Sequence, residues 1–292
     1  MKIGLNMQLT DTTPHPMEIA RECEAWGFES MFVNEHMVVP PNPKTPYHYG
    51  RPGEPIPEYY AHFPEPFIAL AMAAAVTKNI RIGTCISLVP EHEPIALAKE
   101  IGTLDFLSGG RFIFGVGGGW LRDESEVMGV DFRRRWPMTV EYLRAMKELW
   151  TKREASFQGE FVSFPPVRCY PKPAQQPHPP IHIGAGDHKG PCDRALRNTV
   201  AVADGWMPTL MSPERIGKEL VTLRRMCEEA GRDFNSLEIS IALGWQYTRA
   251  QVRDLIKQYE SVGVHRIIPT IGAAGFEEDP KIVEKVAEAF LG

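Results

Sequence analysis

Several features that would assign a function at sight are missing from this chain. Its five cysteines lie far apart, at 23, 85, 169, 192 and 227, with no Cys-x-x-Cys pair. That spacing argues against a zinc ribbon or a dithiol redox motif and fits free thiols in a reducing cytoplasm. The nine histidines include no His-Glu-x-x-His, so no metal is expected. No apolar run nears the roughly 18 residues of a membrane span, and the opening MKIGLNMQL lacks the long apolar stretch of a signal peptide. Neither sign of charge dominates: 32 Lys and Arg stand against 37 Asp and Glu, a formal net charge of -5. The densest basic run, Arg133-Arg134-Arg135, sits beside Asp131 and reads as a solvated turn. Nucleic acid and membrane are therefore not expected as partners, which leaves a small molecule.

What the chain does have is alternation. Short β-branched runs at 2–8, 30–35, 80–86, 112–117, 181–185, 203–208, 237–243 and 266–271 are each followed by a stretch of helical period. The clearest helices are EPIALAKEIGTLDFLS and PERIGKELVTLRRMCEEAG; the second puts Ile216, Leu220, Leu223 and Cys227 on one stripe and closes on Gly231. Strands alternating with helices imply a parallel sheet. Eight such units in 292 residues point to a closed (β/α)₈ barrel, a fold that typically takes about 250 residues. The whole chain, 1–292, is read as one such domain. The excess lies at 37–64, rich in proline and tyrosine, and at 153–180, where SFQGEFVSF reads as a hairpin. Long loops after barrel strands gather at the catalytic face, so 37–64 is expected to act as a lid.

The stretch FIFGVGGGWLRD, 112–123, runs from a strand into a glycine cluster. A Rossmann fingerprint needs a sixth-position glycine; counted from Gly115 or Gly117, that position holds Trp120 or Arg122. A Walker loop needs Gly-Lys-Ser/Thr, which is absent. What remains is a strand end where the backbone approaches a flat ligand, with Gly118 and Gly119 leaving room for it. Later, HIGAGDHKG precedes a helix start, and Gly184, Ala185 and Gly186 could offer successive amides to a phosphate, with His188 and Lys189 adding positive charge.

Taken in order, RIGTCISLVPEHEPIALAKEIGTLDFLSGGR, the run LDFLSGGRFIFGVGGGWLRDESEVMGVDFRRR, FQGEFVSFPPVRCYPKPAQQPHPPIHIGA and VADGWMP resemble the luciferase-like monooxygenase superfamily. The branch they resemble most is that of oxidoreductases dependent on coenzyme F420, a deazaflavin. The resemblance implies a bacterial-luciferase-like (β/α)₈ TIM barrel, commonly dimeric, and hydride transfer between F420 and a small organic substrate. Its near alternative is a flavin mononucleotide (FMN) monooxygenase using oxygen; a second is a barrel that only stores or senses the cofactor.

The resemblance also implies residue roles. Glu35 and His36 match an acidic-His pair bordering the cofactor ring, where a histidine could exchange a proton at neutral pH. Thr84, Cys85 and Ile86 match a segment with a non-proline cis peptide, mapped onto Cys85–Ile86, that backs the ring. Cys85 itself reads as a small buried hydrophobe, not a nucleophile, since no cations surround it. Asp123 matches a position that bonds the cofactor's side chain in some relatives. Trp120, counted here with the cofactor-binding residues, stands where a sugar-phosphate dehydrogenase subgroup has a catalytic glutamate. Indole cannot supply a proton, so that activity is not expected. EHEP at 91–94 and RRRW at 133–136 lie in or beside the same loops, where either could contact substrate or the cofactor tail; both read equally well as ordinary helix starts.

Overall fold

The computed structural model describes residues 1–186, 190 and 192–292. Its strands are β1 (Lys2–Met7), β2 (Ser30–Val33), β3 (Arg81–Thr84), β4 (Ser87–Leu88) and β5 (Phe112–Gly117), then a hairpin of β6 (Ala155–Gln158) and β7 (Ser163–Val167), then β8 (Ile181–Ile183), β9 (Gly205–Trp206), β10 (Glu238–Gly244) and β11 (Arg266–Ile271). All of β5, and all of β1 after Lys2, is buried. Helices cover one face of such strands and the barrel interior the other, which is why they read as unbroken apolar runs.

The barrel strands run β3-β2-β1-β11-β10-β9-β8-β5, and pairing of β3 with β5 closes the ring. The registers that bracket the closure are Gly4 with Ser30, Lys2 with Arg266, and Ile82 with Phe112. Every barrel pair is parallel. Around it stand α1 (Pro16–Trp26), α2 (Pro66–Val76), α3 (Pro94–Leu107), α4 (Arg122–Val127), α5 (Arg135–Thr151), α6 (Asp193–Val202), α7 (Pro213–Glu229), α8 (Arg249–Ser261), α9 (Ala273–Glu278) and α10 (Ile282–Phe290). No helix among the described residues is long and apolar enough to cross a membrane.

Local chemistry sets the helix ends. Ser212 caps α7 by accepting from the Arg215 amide at 3.3 Å. At its other end Gly231 takes φ +67°, Arg232 N–H reaches Cys227 O at 2.9 Å and Gly231 N–H reaches Glu228 O at 3.1 Å. That is the 6→1 and 5→2 pair of a Schellman stop. The expected stripe of Ile216, Leu220, Leu223 and Cys227 is buried. Glu93 caps α3 through the Ala96 amide at 2.7 Å, with Pro94 in the first turn.

Most strands are shorter than the sequence runs, β8 and β9 covering only 181–183 and 205–206, and two of the differences bear on the site. The run at 30–35 ends as a strand at Val33, so strict alternation does not constrain Glu35 and His36. The run at 80–86 ends at Thr84, breaks at a cis Cys85–Ile86 peptide, and resumes as β4 against Val116 and Gly117 of β5.

The barrel interior holds its own apolar cluster, Phe32, Cys85, Ile113, Met207, Ala242 and Ile268. Its amino-terminal end is closed by charge instead. Arg266, fully buried, donates to both oxygens of Glu29 at 2.9 Å and also to Glu238. The opposite end, where the strands finish, is open.

Candidate active site

That open end is a cavity of about 630 Å³, within the usual range for small-molecule and cofactor sites. Asn6 in β1 and Gln8 just after it, Asn34, Glu35 and His36 after β2, and Cys85 and Ile86 after β3 contribute to its wall. So do Gly118, Gly119 and Trp120 after β5, Gly184, Ala185 and Gly186 after β8, and Tyr47, Tyr49, Tyr60 and Phe63 of the long loop. Ten of the twelve residues anticipated from sequence therefore meet at one site. Thr84 and Asp123 are not on its wall.

His36 is held from behind. Its Nδ1 lies 2.5 Å from Oε2 of Glu124, a carboxylate that is 1 % exposed. Nδ1–H donating to that carboxylate leaves Nε2 as the ring atom for exchange with the cavity. The other Glu124 oxygen accepts from the Met37 and Val38 amides at 2.6 and 3.3 Å. Glu35 serves differently. It accepts from the Leu88 amide at 2.5 Å and meets Nε2 of His92 at 2.7 Å, so its carboxylate braces β4 and the turn that leads into α3. Burial alone would lower the His92 pKa, but hydrogen bonding and charge from Glu35 outweigh it and the net shift is upward.

A third carboxylate completes the cluster. Glu91 lies under Gly119, which adopts φ +79°, and a Cβ there would stand 3.4 Å from Glu91 Oε1. That oxygen accepts from Ser125 Oγ at 2.9 Å, while Oε2 has no hydrogen-bond partner. Burial first, then the charges of Glu124 and Glu35, push its carboxyl up to about 8.

Asp123 looks outward from the same turn. Its oxygens accept from the Lys44 amide at 2.8 Å, the Thr45 amide at 2.9 Å and Thr45 Oγ1 at 2.5 Å. Desolvation opposes ionisation, but those donors together outweigh it and hold the carboxyl down to about 2. Asp123 and Glu124 thus fasten the 37–64 excursion over the mouth at two points. Thr84 turns its hydroxyl to Gly115 O at 2.7 Å and is fully buried, which is a structural bond within the barrel.

The expected cis peptide at Cys85–Ile86 is present. It carries Ile86 between two glycines: a Cβ on Gly117 or on Gly184 would collide with the Ile86 side chain. These glycines make room for Ile86 as well as for a ligand. Burial pushes the Cys85 thiol up to about 12, in keeping with an inert hydrophobe. One detail of the proposed phosphate cradle needs correcting. The Gly184 amide donates to Val116 O at 2.7 Å, so it completes the barrel pairing instead of facing an anion. Ala185 O accepts from Trp206 Nε1 at 2.7 Å, which fixes the segment. His188 and Lys189 lie outside the described residues.

Three features were not singled out in advance. Glu124 is one. The second is Arg135, read from sequence as part of a solvated turn or an ordinary helix start; it lies instead on the wall of the cavity, donates to Gly119 O at 3.0 Å and Phe132 O at 2.6 Å, and lies over the Phe132 ring. Burial, and then the like charges of Arg194 and Arg122, lower its pKa to about 10. The third is a pair of asparagines: Asn6 and Asn34 line the cavity, and each leaves a buried amide oxygen without a partner. A buried polar atom left alone is costly. A flat ligand with ring N–H groups and an anionic tail answers both the asparagines and Arg135.

The same architecture occurs in known proteins. The chain is 34% identical to the uncharacterized protein Rv0953c of Mycobacterium tuberculosis over 287 residues, covering 98% of each. It superposes on an F420-dependent secondary alcohol dehydrogenase in complex with an F420-acetone adduct with TM-score 0.73 and 18% identity, covering 99% of this chain and 97% of that one. Monooxygenase RslO1 from Streptomyces bottropensis gives TM-score 0.73 and 21% identity, with 100% and 99% covered. At those identities the structures show a shared fold. A family model described as luciferase-like monooxygenase matches residues 6–280, and the chain belongs to that family of oxidoreductases and monooxygenases.

Proposed function

We propose that this protein transfers a hydride between coenzyme F420 and a small organic substrate. The observation that carries the reading is His36, set in the cavity wall and anchored on a buried carboxylate, Glu124. It shares that cavity with the Cys85–Ile86 bulge, the two asparagines and an arginine that has no carboxylate partner among the described residues. Bound there, a deazaflavin would supply hydride exchange with little reactivity toward oxygen, because carbon replaces the reactive flavin nitrogen.

The protein's own contributions are positional. The Cys85–Ile86 segment would back the ring, Asn6 and Asn34 would meet its polar edge, and Arg135 with Ala185 and Gly186 would face its anionic tail. His36 Nε2 would exchange a proton with the substrate oxygen or stabilise charge developing there, while Glu124 keeps the ring in one tautomer. The loop at 37–64 screens the reacting atoms from water.

An FMN-dependent oxygenase would use the same cavity, and the likeness to RslO1 keeps that reading in the test. The purified protein is given oxidised F420 with a panel of alcohols under nitrogen, and reduced FMN with the same panel in air. Anaerobic reduction of F420 with turnover is expected. Turnover confined to reduced FMN plus oxygen would assign the oxygenase chemistry instead. In either assay His36→Ala is expected to cut turnover by about 10²–10⁴-fold while cofactor affinity holds; lost affinity with unchanged turnover would overturn the proposed role.

A further inference from the structure

Arg135, the asparagines and the glycine segments share the cavity wall with a second kind of surface. The 37–64 loop brings a group of rings around Trp120. The centroids of His36, Tyr47, His48, Tyr49 and Tyr60 lie 5.7, 6.0, 6.2, 6.1 and 6.1 Å from the Trp120 ring. Phe63 extends the group, 5.9 Å from His36 and 5.4 Å from Tyr60. These distances are those of favourable aromatic pairs, and His36, Tyr49 and Tyr60 meet Trp120 edge-on.

The box is built before any ligand arrives. Asp123 and Glu124 fasten its loop through the amides of residues 37, 38, 44 and 45, and the Tyr47 and Tyr60 hydroxyls lie 3.2 Å apart. A pre-organised wall loses little ordering entropy on binding. Among the described residues on the cavity wall, Glu35 is the one carboxylate, and it is already paired with the Leu88 amide and His92. Burial pushes the Tyr59 and Tyr60 phenols upward, so both stay neutral. Ring faces attract an organic cation, but without an unpaired carboxylate beside them that gain does not offset its lost hydration; an organic anion would meet electron-rich surfaces in the box, with Arg135 on the same wall left to the cofactor's tail.

We infer that the 37–64 loop and Trp120 form a ring-recognition box, and that the substrate is a planar, uncharged aromatic compound seated in it beside His36. This deepens the reading of the cavity as an active site and rests on it. It does not depend on which cofactor is bound.

The test measures binding of four probes by calorimetry to the full chain, first as purified and then saturated with F420. The probes are p-cresol, its saturated counterpart 4-methylcyclohexanol, benzoate and benzyltrimethylammonium. Two added ring contacts correspond to about tenfold in affinity, so p-cresol is expected to bind at least about tenfold tighter than 4-methylcyclohexanol. Trp120→Leu should bring that ratio close to one and Tyr49→Leu should narrow it, with both variants checked for native circular dichroism. Should Trp120→Leu fail to fold, Tyr49→Leu alone decides. Equal affinities in the wild type, a ratio that neither variant changes, or tighter binding of either ionic probe would overturn the inference. Ring selectivity without F420 or FMN binding would defeat the cofactor reading alone, and cofactor binding without ring selectivity would defeat this inference alone.

Discussion

Glu91→Gln is expected to make the protein more stable at neutral pH. Glu91 is 6 % exposed, with one oxygen accepting from Ser125 and the other unpartnered. Burial, then the charges of Glu124 and Glu35, raise its carboxyl from 4.5 to about 8. Between those two values the folded protein retains a proton that the unfolded chain has released, so stability falls as pH rises through that window. At about 1.4 kcal/mol per pH unit, the loss by pH 8 is on the order of 4 kcal/mol and by pH 7 on the order of 3 kcal/mol. Glutamine keeps the oxygen that Ser125 donates to and resembles the neutral acid, so the variant escapes this loss. Urea unfolding of both proteins at pH 5, 6, 7 and 8 measures it. The two stabilities should nearly coincide at pH 5 and separate steadily up to pH 8, with the variant ahead. Parallel pH profiles would show that Glu91 ionises normally, and the description of the carboxylate cluster beneath His36 would be wrong.

Four further outcomes follow from the same geometry. Glu124→Gln should lower kcat/KM by about 10–100-fold, because it removes the charged acceptor that orients His36; unchanged kinetics with a cofactor-dependent assay would refute that role. Asp123→Ala removes the acceptor for three donors of the 44–45 segment, and should expose the loop to proteolysis near residues 40–50 while the barrel stays intact. Arg266→Met should destabilise the fold by about 3–5 kcal/mol in chemical denaturation, since it leaves Glu29 and Glu238 at the barrel end without their shared cation. Helix α2 exposes Ile68, Ala71, Met72 and Ala75 on one face although its composition is apolar throughout; the protein should sediment as a homodimer, and Ile68→Glu with Met72→Glu should yield monomers.

How much of this was legible in the sequence depends on range. The barrel was, because strands buried on both faces give unbroken apolar runs and the Gly and Pro between them mark the turns. The helix stripe at 216–227 and its Gly231 stop were legible for the same reason: both are local patterns. The Glu35-His36 pair and the glycine clusters stood out as strand ends. Their partners did not. Glu124 meets His36 across 88 residues, and nothing local distinguishes it from Asp123. Successive helix positions are about 100° apart, so one carboxylate turns inward to the histidine while its neighbour turns out to the loop. Gly184 looked like part of an anion cradle because sequence does not show that the barrel already uses its amide. The aromatic box was invisible for a similar reason, since its rings are scattered from residue 36 to residue 120 and converge only when the loop folds back.

The central claim is that the open end of this barrel holds a deazaflavin. Its most direct measurement is a fluorescence titration of the purified protein with F420 and, separately, with FMN, repeated on Arg135→Ala and His36→Ala. The account predicts saturable one-to-one binding of F420, tighter than FMN, weakened at least about tenfold by Arg135→Ala on loss of a charged contact to the cofactor's anionic tail and unchanged by His36→Ala. A failure of F420 to saturate, or tighter binding of FMN, would contradict it.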